Sequence, residues 1–291
     1  MVRISDYEKI EELYYNKISN IKYLKNKVFG SDTLEKIYND RFRDVLGCEL
    51  KDLLCGTFDE LLKINFPDEV REDIEKLFNY QGKYQKYISG FFKEQLDIHT
   101  CYYCNIDFIN VFKVGNEKFK GGYTLDHIKN KSQYPHLSLS LYNLIPSCYI
   151  CNSPLKRDQD IGDVSPTSKT FDFDKKVKFK TFIQNANLQI EDKEDFNLLL
   201  KEDFTDIYTK YIKIFELDGR YEYHKYKVIE MINKRKQYPD SRIKELAKLT
   251  QKTEEEVKQD LFGEYLFEDD DLHKRPLSKL TRDISKELGL V

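Results

Sequence analysis

Apolar positions recur at close to helical spacing in the first part of the chain. In residues 6–27 the repeating positions are Ile10, Leu13, Tyr14, Ile18, Ile21 and Leu24. Asp32 precedes a second helical run, and Glu35 stands three residues later, as in a capping box. Pro67 suits the first position of a further helix, because that position needs no amide hydrogen. The pattern therefore predicts a mainly helical region over residues 1–98.

The middle of the chain has a different pattern. Residues 99–165 contain paired cysteines, glycines and short β-like runs such as residues 122–125, and residues 171–182 alternate well enough for one or two strands. Helical spacing returns from Asp203 onward, and the predicted helices there are residues 221–236, 241–249 and 253–262. We therefore predict an α+β fold with a small core over residues 99–165. Residues 166–291 form a third region in which short strands precede helices.

Length and charge narrow the class of protein. The 291 residues suffice for one large domain or two smaller ones, and a formal net charge of −3 does not by itself indicate a nucleic-acid partner. No run approaches the roughly 18 apolar residues of a membrane helix. The amino terminus is charged almost at once and lacks the core of a signal peptide. These features favour a cytoplasmic protein without a membrane partner.

Disulfides are rare in that reducing compartment, so the six cysteines are interpreted as metal ligands or core residues. Two Cys-x2-Cys knuckles are separated by 43 residues; their members are Cys101, Cys104, Cys148 and Cys151. Two such turns can complete a closed tetrahedral Zn²⁺ site, whose role would be structural because no ligand position is left open. The alternative is two unrelated buried pairs. Cys48 and Cys55 lack this spacing and are expected to pack in a core.

The segment between and just after the knuckles carries an ordered set of chemical residues. Asp126 and His127 are adjacent, Asn143 follows, and Asn152 lies within Cys-Asn-x3-Lys. This set resembles the HNH, or His-Me finger, endonuclease family. In that family an Asp-His or His-His pair ends a strand, an Asn lies in the following loop, and a later Asn or His lies on a helix. The resemblance covers roughly residues 99–160, about a fifth of the chain, and implies a small zinc-bound ββα-metal core.

The resemblance also implies roles for these residues. His127 would be the general base, since an imidazole can take a proton from water near neutral pH. Asp126 and Asn152 would hold Mg²⁺ or Mn²⁺ through hard oxygen atoms. Adjacent strand residues point to opposite faces, so Asp126 and His127 reach one phosphate only if the strand twists at its end. His136 is a rival candidate for the base.

Further residues complete the expected site. Asn143 would clamp the loop that orients His127. Lys156 and Arg157 follow Asn152 by about one helical turn and would contact phosphate. Residues 101–160 carry a surplus of only 2 positive charges, 7 Lys and Arg against 5 Asp and Glu, so further DNA contact is expected from residues 224–242.

The expected function is a metal-dependent HNH endonuclease that hydrolyses DNA by nicking or double-strand cutting. The flanks, with residues 273–283, look similar to those of bacterial defence-associated HNH proteins, which implies anti-phage defence with a partner ATPase. The acidic residues 268–271 are expected in a loop or partner contact. Two alternatives stay open: a zinc-binding interaction module without catalysis, and a nuclease that acts on RNA.

Overall fold

Helices and short antiparallel strand pairs make up the described chain, which confirms the α+β class. The structure is a computed structural model that describes residues 1–23, 30–115, 118–185, 189–263 and 272–291. Within these ranges, no helix has the length and apolar character that crossing a membrane requires. The acidic residues 268–271 lie outside the described ranges.

The chain divides into two units that each combine segments distant in sequence. Unit A consists of Arg3–Ile98 and Ile109–Phe171. Unit B consists of Met1–Val2, His99–Phe108 and Asp172–Val291. Residues 99–108 thus belong to the same unit as the carboxy-terminal part of the chain.

The amino-terminal part of unit A is helical. Its helices are α1 (Glu11–Ser19), α2 (Leu34–Arg41), α3 (Arg43–Leu46), α4 (Leu50–Cys55), α5 (Phe58–Leu61), α6 (Arg71–Leu77) and α7 (Gln85–Gln95). The single helix expected over residues 6–27 is instead a 3-10 turn, Asp6–Lys9, followed by α1, and residues 24–27 lie outside the described chain. The expected cap at Asp32 is wrong: Thr33 caps α2, and its side chain accepts a hydrogen bond from the Lys36 amide at 3.3 Å.

Two strand pairs follow in unit A. Strand β1 (Val111–Val114) pairs with β2 (Lys118–Gly121), and β3 (Thr124–His127) pairs with β4 (Leu144–Ser147), both antiparallel. Opposite β3, Ile145 aligns with Asp126 and Leu144 with His127. A π-helical turn, Cys151–Lys156, comes soon after β4 and packs against β3. The order is therefore strand, strand, helical turn.

Buried tyrosines connect the helices of unit A to strand β4 and to the loop that precedes it. The Tyr7 hydroxyl donates to the Leu144 carbonyl at 2.6 Å, and the Tyr14 hydroxyl donates to the Leu139 carbonyl at 2.7 Å. The Tyr7 ring also meets Phe92 of α7 edge to face. Such rings bury a large apolar surface while their hydroxyls satisfy backbone groups, which holds the loop between β3 and β4 against the helices.

Unit B contains the remaining elements. They are α8 (Phe173–Lys176), β5 (Val177–Ile183), β6 (Phe196–Glu202), α9 (Thr209–Ile214), α10 (Leu217–Glu222), α11 (Lys225–Gln237), α12 (Asp240–Thr250), α13 (Glu254–Phe262) and α14 (Ser278–Glu287). The helices predicted over residues 241–249 and 253–262 are confirmed by α12 and α13. The helix predicted over residues 221–236 corresponds mainly to α11.

The strand prediction over residues 171–182 is wrong in its first half, where the structure has the helical turn α8. Strand β5 begins only at Val177 and pairs with β6. The Asp174 carboxylate in α8 makes ion pairs with Arg282 and with Lys279 of α14. Local alternation of apolar and polar residues does not report such distant charge partners, so the sequence pattern could not indicate this turn.

Candidate active site

A cavity of about 620 Å³ lies in unit A beside the end of β3. Asp126 and His127 of β3 line it together with Asn152 of the π-helical turn. Three side chains that are up to 26 positions apart in the sequence thus share one cavity. Arg157, which follows the turn, also lines this cavity.

His127 is the last residue of β3 and is buried. Its Nε2 atom lies 2.9 Å from the carbonyl oxygen of Ser138. A carbonyl oxygen only accepts, so Nε2 carries the hydrogen and Nδ1 carries the lone pair. Burial lowers the pKa of His127 from its ordinary value of 6.5 to about 3, so the ring is neutral at neutral pH. A neutral ring with an available lone pair can accept a proton, and the lowered pKa makes His127 a weaker base than an imidazole in water.

Tyr80 packs edge-on against this imidazole, with ring centroids 4.6 Å apart and planes at 85°. It begins the π-helical turn Tyr80–Tyr84, which runs into α7, and it lines the same cavity. Burial, and after it the negative charge of Asp126, raises the pKa of Tyr80. Sequence reasoning missed this residue because nothing in its local pattern connects it with a position 47 residues away. The π-helical turn that contains Tyr80, a feature frequent at functional sites, becomes visible only in the structure.

The buried carboxylate of Asp126 is paired with Lys156. The Lys156 Nζ atom lies 3.1 Å from one carboxylate oxygen and 3.3 Å from the other, and it donates to the His127 carbonyl at 2.6 Å. Lys156 is 1% exposed and does not line the cavity. The expected phosphate contact is therefore corrected: the ammonium group faces Asp126 and compensates its charge.

Asn152 and Arg157 are joined through the backbone of the π-helical turn. The Asn152 side-chain amide donates to the Thr124 hydroxyl at 2.8 Å, which leaves its side-chain carbonyl oxygen as the atom suited to bind a cation. The Arg157 amide donates to the Asn152 carbonyl at 2.9 Å. Arg157 has φ +48° and ψ −120°, a strained conformation for a residue other than glycine.

Asn143 lies outside the cavity and holds the loop between β3 and β4. Its side-chain oxygen accepts from the Lys129 amide at 2.8 Å. Its side-chain nitrogen donates to the carbonyls of Lys129 at 3.1 Å and Leu137 at 2.9 Å. The next residue, Ser138, supplies the carbonyl that orients His127. Asn143 therefore fixes both ends of the loop that sets the histidine ring.

The cavity offers a donor set suited to a hard cation. The Asp126 carboxylate and the Asn152 side-chain carbonyl are the oxygen types that Mg²⁺ and Mn²⁺ prefer. The ammonium of Lys156 beside Asp126 makes the cavity less negative than an uncompensated carboxylate would. A divalent ion at Asp126 would therefore share this carboxylate with Lys156.

Four buried cysteines form a cluster suited to a soft metal such as zinc. The sulfur atoms of Cys101, Cys104, Cys148 and Cys151 all lie within 4.8 Å of one another. Around a tetrahedral zinc with Zn–S bonds of about 2.3 Å, the sulfurs would be about 3.8 Å apart. The amides of Ile106 and Cys151 donate to the sulfurs of Cys104 and Cys148, each at 3.4 Å.

Two residues of unit B that the sequence did not indicate support the first knuckle. Asn105 has φ +52°, which turns the chain directly after Cys104. Its side chain is buried and donates to the Leu272 carbonyl at 2.8 Å. The Arg220 guanidinium lies 3.4 Å from the Cys104 sulfur, where a positive charge stabilises a thiolate.

The rival and excluded residues lie elsewhere in unit A. His136 lines a second cavity of about 390 Å³, and its ring stacks on Phe66 with centroids 4.2 Å apart. It does not line the cavity of Asp126. The Cys55 thiol is buried and donates to the Glu11 carbonyl at 3.4 Å, and Cys48 contacts the Tyr38 hydroxyl. Neither cysteine belongs to the four-sulfur cluster.

The basic residues expected to contact DNA in unit B have acidic neighbours. Arg235 pairs with Asp240 at 2.9 Å, and Arg242 pairs with Glu245 at 2.6 Å. These ion pairs reduce the positive charge that helices α11 and α12 would offer to phosphates.

Comparisons of the chain with protein-family models, curated proteins and solved structures found no match.

Proposed function

We propose that this protein is a metal-dependent nuclease of the HNH type that hydrolyses phosphodiester bonds. The observation that carries the proposal is the single cavity lined by Asp126, His127 and Asn152. The order of strand, strand and helical turn around this cavity supports the same proposal. Metal-dependent hydrolysis of a phosphodiester uses a general base and oxygen ligands for the metal ion. This cavity offers a histidine, a carboxylate and an amide oxygen for these roles.

Each residue contributes a defined step. His127 takes a proton from the attacking water at Nδ1, because Ser138 engages Nε2. Asp126 and Asn152 would hold the divalent ion, and Mg²⁺ or Mn²⁺ bound there would supply Lewis-acid stabilisation of the phosphate and the leaving oxygen. Arg157 contacts a phosphate at the cavity. Lys156 holds the Asp126 carboxylate in place from the side away from the cavity.

Zn²⁺ on the four cysteines completes the proposal as a structural metal. All four sulfurs would be ligands, so the site would be closed and would keep no position for a reacting water. Cys151 directly precedes Asn152 in the chain, so a metal on this sulfur would fix the residue that offers the amide oxygen. Zinc would thereby support the cavity without taking part in hydrolysis.

DNA is the proposed substrate, and RNA is tested beside it. A plasmid-nicking assay with Mg²⁺ or Mn²⁺ should show cleavage that EDTA abolishes. His127→Ala should lose cleavage by at least about a hundredfold, the lower range for general-base catalysis. His136→Phe is the matched control, since this histidine lines the other cavity and its stacking on Phe66 is preserved. Single- and double-stranded DNA and RNA substrates then identify the nucleic acid.

Equal cleavage by the wild type and His127→Ala, each purified in the same way, would overturn the nuclease proposal. Metal-independent binding to a partner without any turnover would instead favour a zinc-containing interaction module. Circular dichroism of the variant before the assay shows whether a loss of cleavage reflects a loss of folding.

A further inference from the structure

A row of neutral polar side chains lines the proposed nuclease cavity from a different element. Gln81 belongs to the π-helical turn Tyr80–Tyr84, and Gln85 and Ser89 belong to α7. All three line the cavity that contains Asp126 and His127. Gln85 and Ser89 are four residues apart, a spacing that places two side chains on the same face of a helix.

These side chains have unused hydrogen-bonding capacity. Among the residues that the structure describes, none forms a hydrogen bond with the side chains of Gln81, Gln85 or Ser89. Both glutamines are exposed. The opposite side of α7 is anchored, because Ile88, Phe91 and Phe92 are buried in unit A. The Gln85 amide is therefore presented to the cavity from an anchored helix, and the Gln81 amide is presented from the π-helical turn that precedes it.

The charges around the cavity do not favour binding by phosphate contacts alone. Its charged lining residues are Lys131, Arg157, Asp126 and Asp158, two cations against two anions. Affinity for a nucleic-acid backbone rests mainly on cations that neutralise phosphates. The neutral amides and hydroxyls of the cavity are available for other contacts.

Glutamine has a specific partner among the bases. Its side-chain amide offers one acceptor and two donor hydrogens, and it can bind the N6 and N7 edge of adenine with two hydrogen bonds. Phosphate contacts position a strand, while contacts to base edges select its sequence. Because Gln81 and Gln85 share a cavity with His127, a base near the cleaved phosphate would be within their range.

We propose that Gln81 and Gln85 contact base edges next to the cleaved phosphate and give the site a preference for adenine. This inference rests on the proposed nuclease function, since it assigns the sequence selectivity of that same cavity. Ser89 extends the row and contacts the neighbouring nucleotide. Asp126, His127 and Asn152 perform the hydrolysis without reading sequence.

Sequencing of cut sites in a randomised DNA library tests the proposal. The wild type should show adenine enriched next to the cut, and Gln81→Ala or Gln85→Ala should reduce this enrichment by about 5- to 150-fold, the range for one bidentate base contact. Gln95→Ala is the matched control, because Gln95 ends α7, is exposed and does not line the cavity. Alanine is the best helix former, so the variants should keep α7 folded.

A binding measurement separates this inference from the nuclease proposal. Fluorescence anisotropy compares the affinities of His127→Ala protein for labelled oligo-dA and oligo-dC, with and without the glutamine substitutions. Cleavage with no adenine preference, or with a preference that both glutamine variants retain, overturns the inference and leaves the nuclease standing. Absence of cleavage, together with adenine-selective binding that the variants lose, refutes the nuclease and supports only the contact of the two glutamines with adenine. If neither cleavage nor adenine-selective binding is observed, both the inference and the nuclease proposal are overturned.

Discussion

The ammonium nitrogen of Lys156 lies 3.1 Å from a carboxylate oxygen of Asp126, and both side chains are buried. The pair joins the end of β3 to the end of the π-helical turn. Removing one member of a buried ion pair leaves the other charge without compensation, which costs more than the pair contributes when intact. Lys156 is therefore important for the conformation of Asp126, the residue proposed to bind the divalent ion.

Lys156→Met should lower the free energy of unfolding by about 3–5 kcal/mol, because it leaves Asp126 charged and uncompensated in a buried place. Added Mg²⁺ or Mn²⁺ should restore part of this loss by binding the same carboxylate. Urea denaturation with and without the metal measures both effects. Lys131→Met, at a lysine that lines the cavity, is the control and should change the free energy of unfolding by less than about 1 kcal/mol. A Lys156→Met protein as stable as the wild type would refute the role of the pair.

The buried histidines predict how stability depends on pH. Burial lowers the pKa of His127 to about 3 and that of His136 to about 4, whereas both would titrate near 6.5 in the unfolded chain. Below pH 6.5 the unfolded chain therefore binds more protons at these sites than the folded chain. Their contribution to stability is complete above pH 6.5 and is lost progressively as the pH falls toward 3. Urea denaturation between pH 7 and pH 4 should show this loss.

His136→Phe should reduce the acid sensitivity of folding, since it removes one of these groups and keeps the stacking on Phe66. The same variant should cleave DNA like the wild type. An unchanged slope of unfolding free energy against pH would show that His136 titrates normally in the folded protein.

The activity should also remain at mildly acidic pH. His127 stays neutral down to a pH well below 6.5, so its protonation should not reduce the cleavage rate between pH 7 and pH 5. Rates measured over this range, at saturating metal concentration, test the prediction. A rate that halves near pH 6.5 and follows a single protonation would show that His127 is more exposed to water than its burial indicates.

Asn143→Ala should destabilise the loop between β3 and β4. It removes three hydrogen bonds to the backbone of Lys129 and Leu137, and each buried group left without a partner costs about 1–3 kcal/mol. We expect a loss of at least about 2 kcal/mol in unfolding free energy and faster hydrogen exchange at the Lys129 amide. Asn143→Asp keeps the acceptor for that amide, so it should slow this exchange relative to Asn143→Ala. Equal exchange in both variants would contradict the clamp.

The cysteine cluster predicts one zinc ion per chain. Elemental analysis of the purified protein should find it, and a strong chelator should lower the melting temperature as the metal is removed. Cys104→Ser should lower the zinc content, whereas Cys48→Ser should not, because Cys48 contacts Tyr38 outside the cluster. Full zinc content in Cys104→Ser would show that the metal is bound elsewhere.

The sequence predicted those features that depend on local spacing. Helices α12 and α13 follow the apolar period, and Thr253 caps α13 through a local hydrogen bond. The two cysteine knuckles were also visible, because each is a short turn with its own spacing. Their approach within 4.8 Å could be expected from the chemistry of a four-thiolate site.

Features that depend on distant contacts were not visible in the sequence. Tyr80 meets His127 across 47 positions, and Lys156 reaches Asp126 across 30. The spacing of Lys156 after Asn152 predicts a phosphate contact, and nothing local shows that this lysine is buried, since lysines are usually exposed. The strand expected before Val177 failed for a related reason, since Asp174 of α8 pairs with side chains more than 100 positions away.

The succession of Cys151 and Asn152 has a consequence for the response of the protein to oxidants. Cys151 belongs to the four-sulfur cluster, and one peptide bond separates it from the amide that lines the cavity. If Cys151 were joined to another of these sulfurs in a disulfide, whose S–S bond is about 2.05 Å long, the Cys151 side chain would have to move. Oxidation of Cys151 would therefore act on the residue directly before the amide that is proposed to bind the divalent ion.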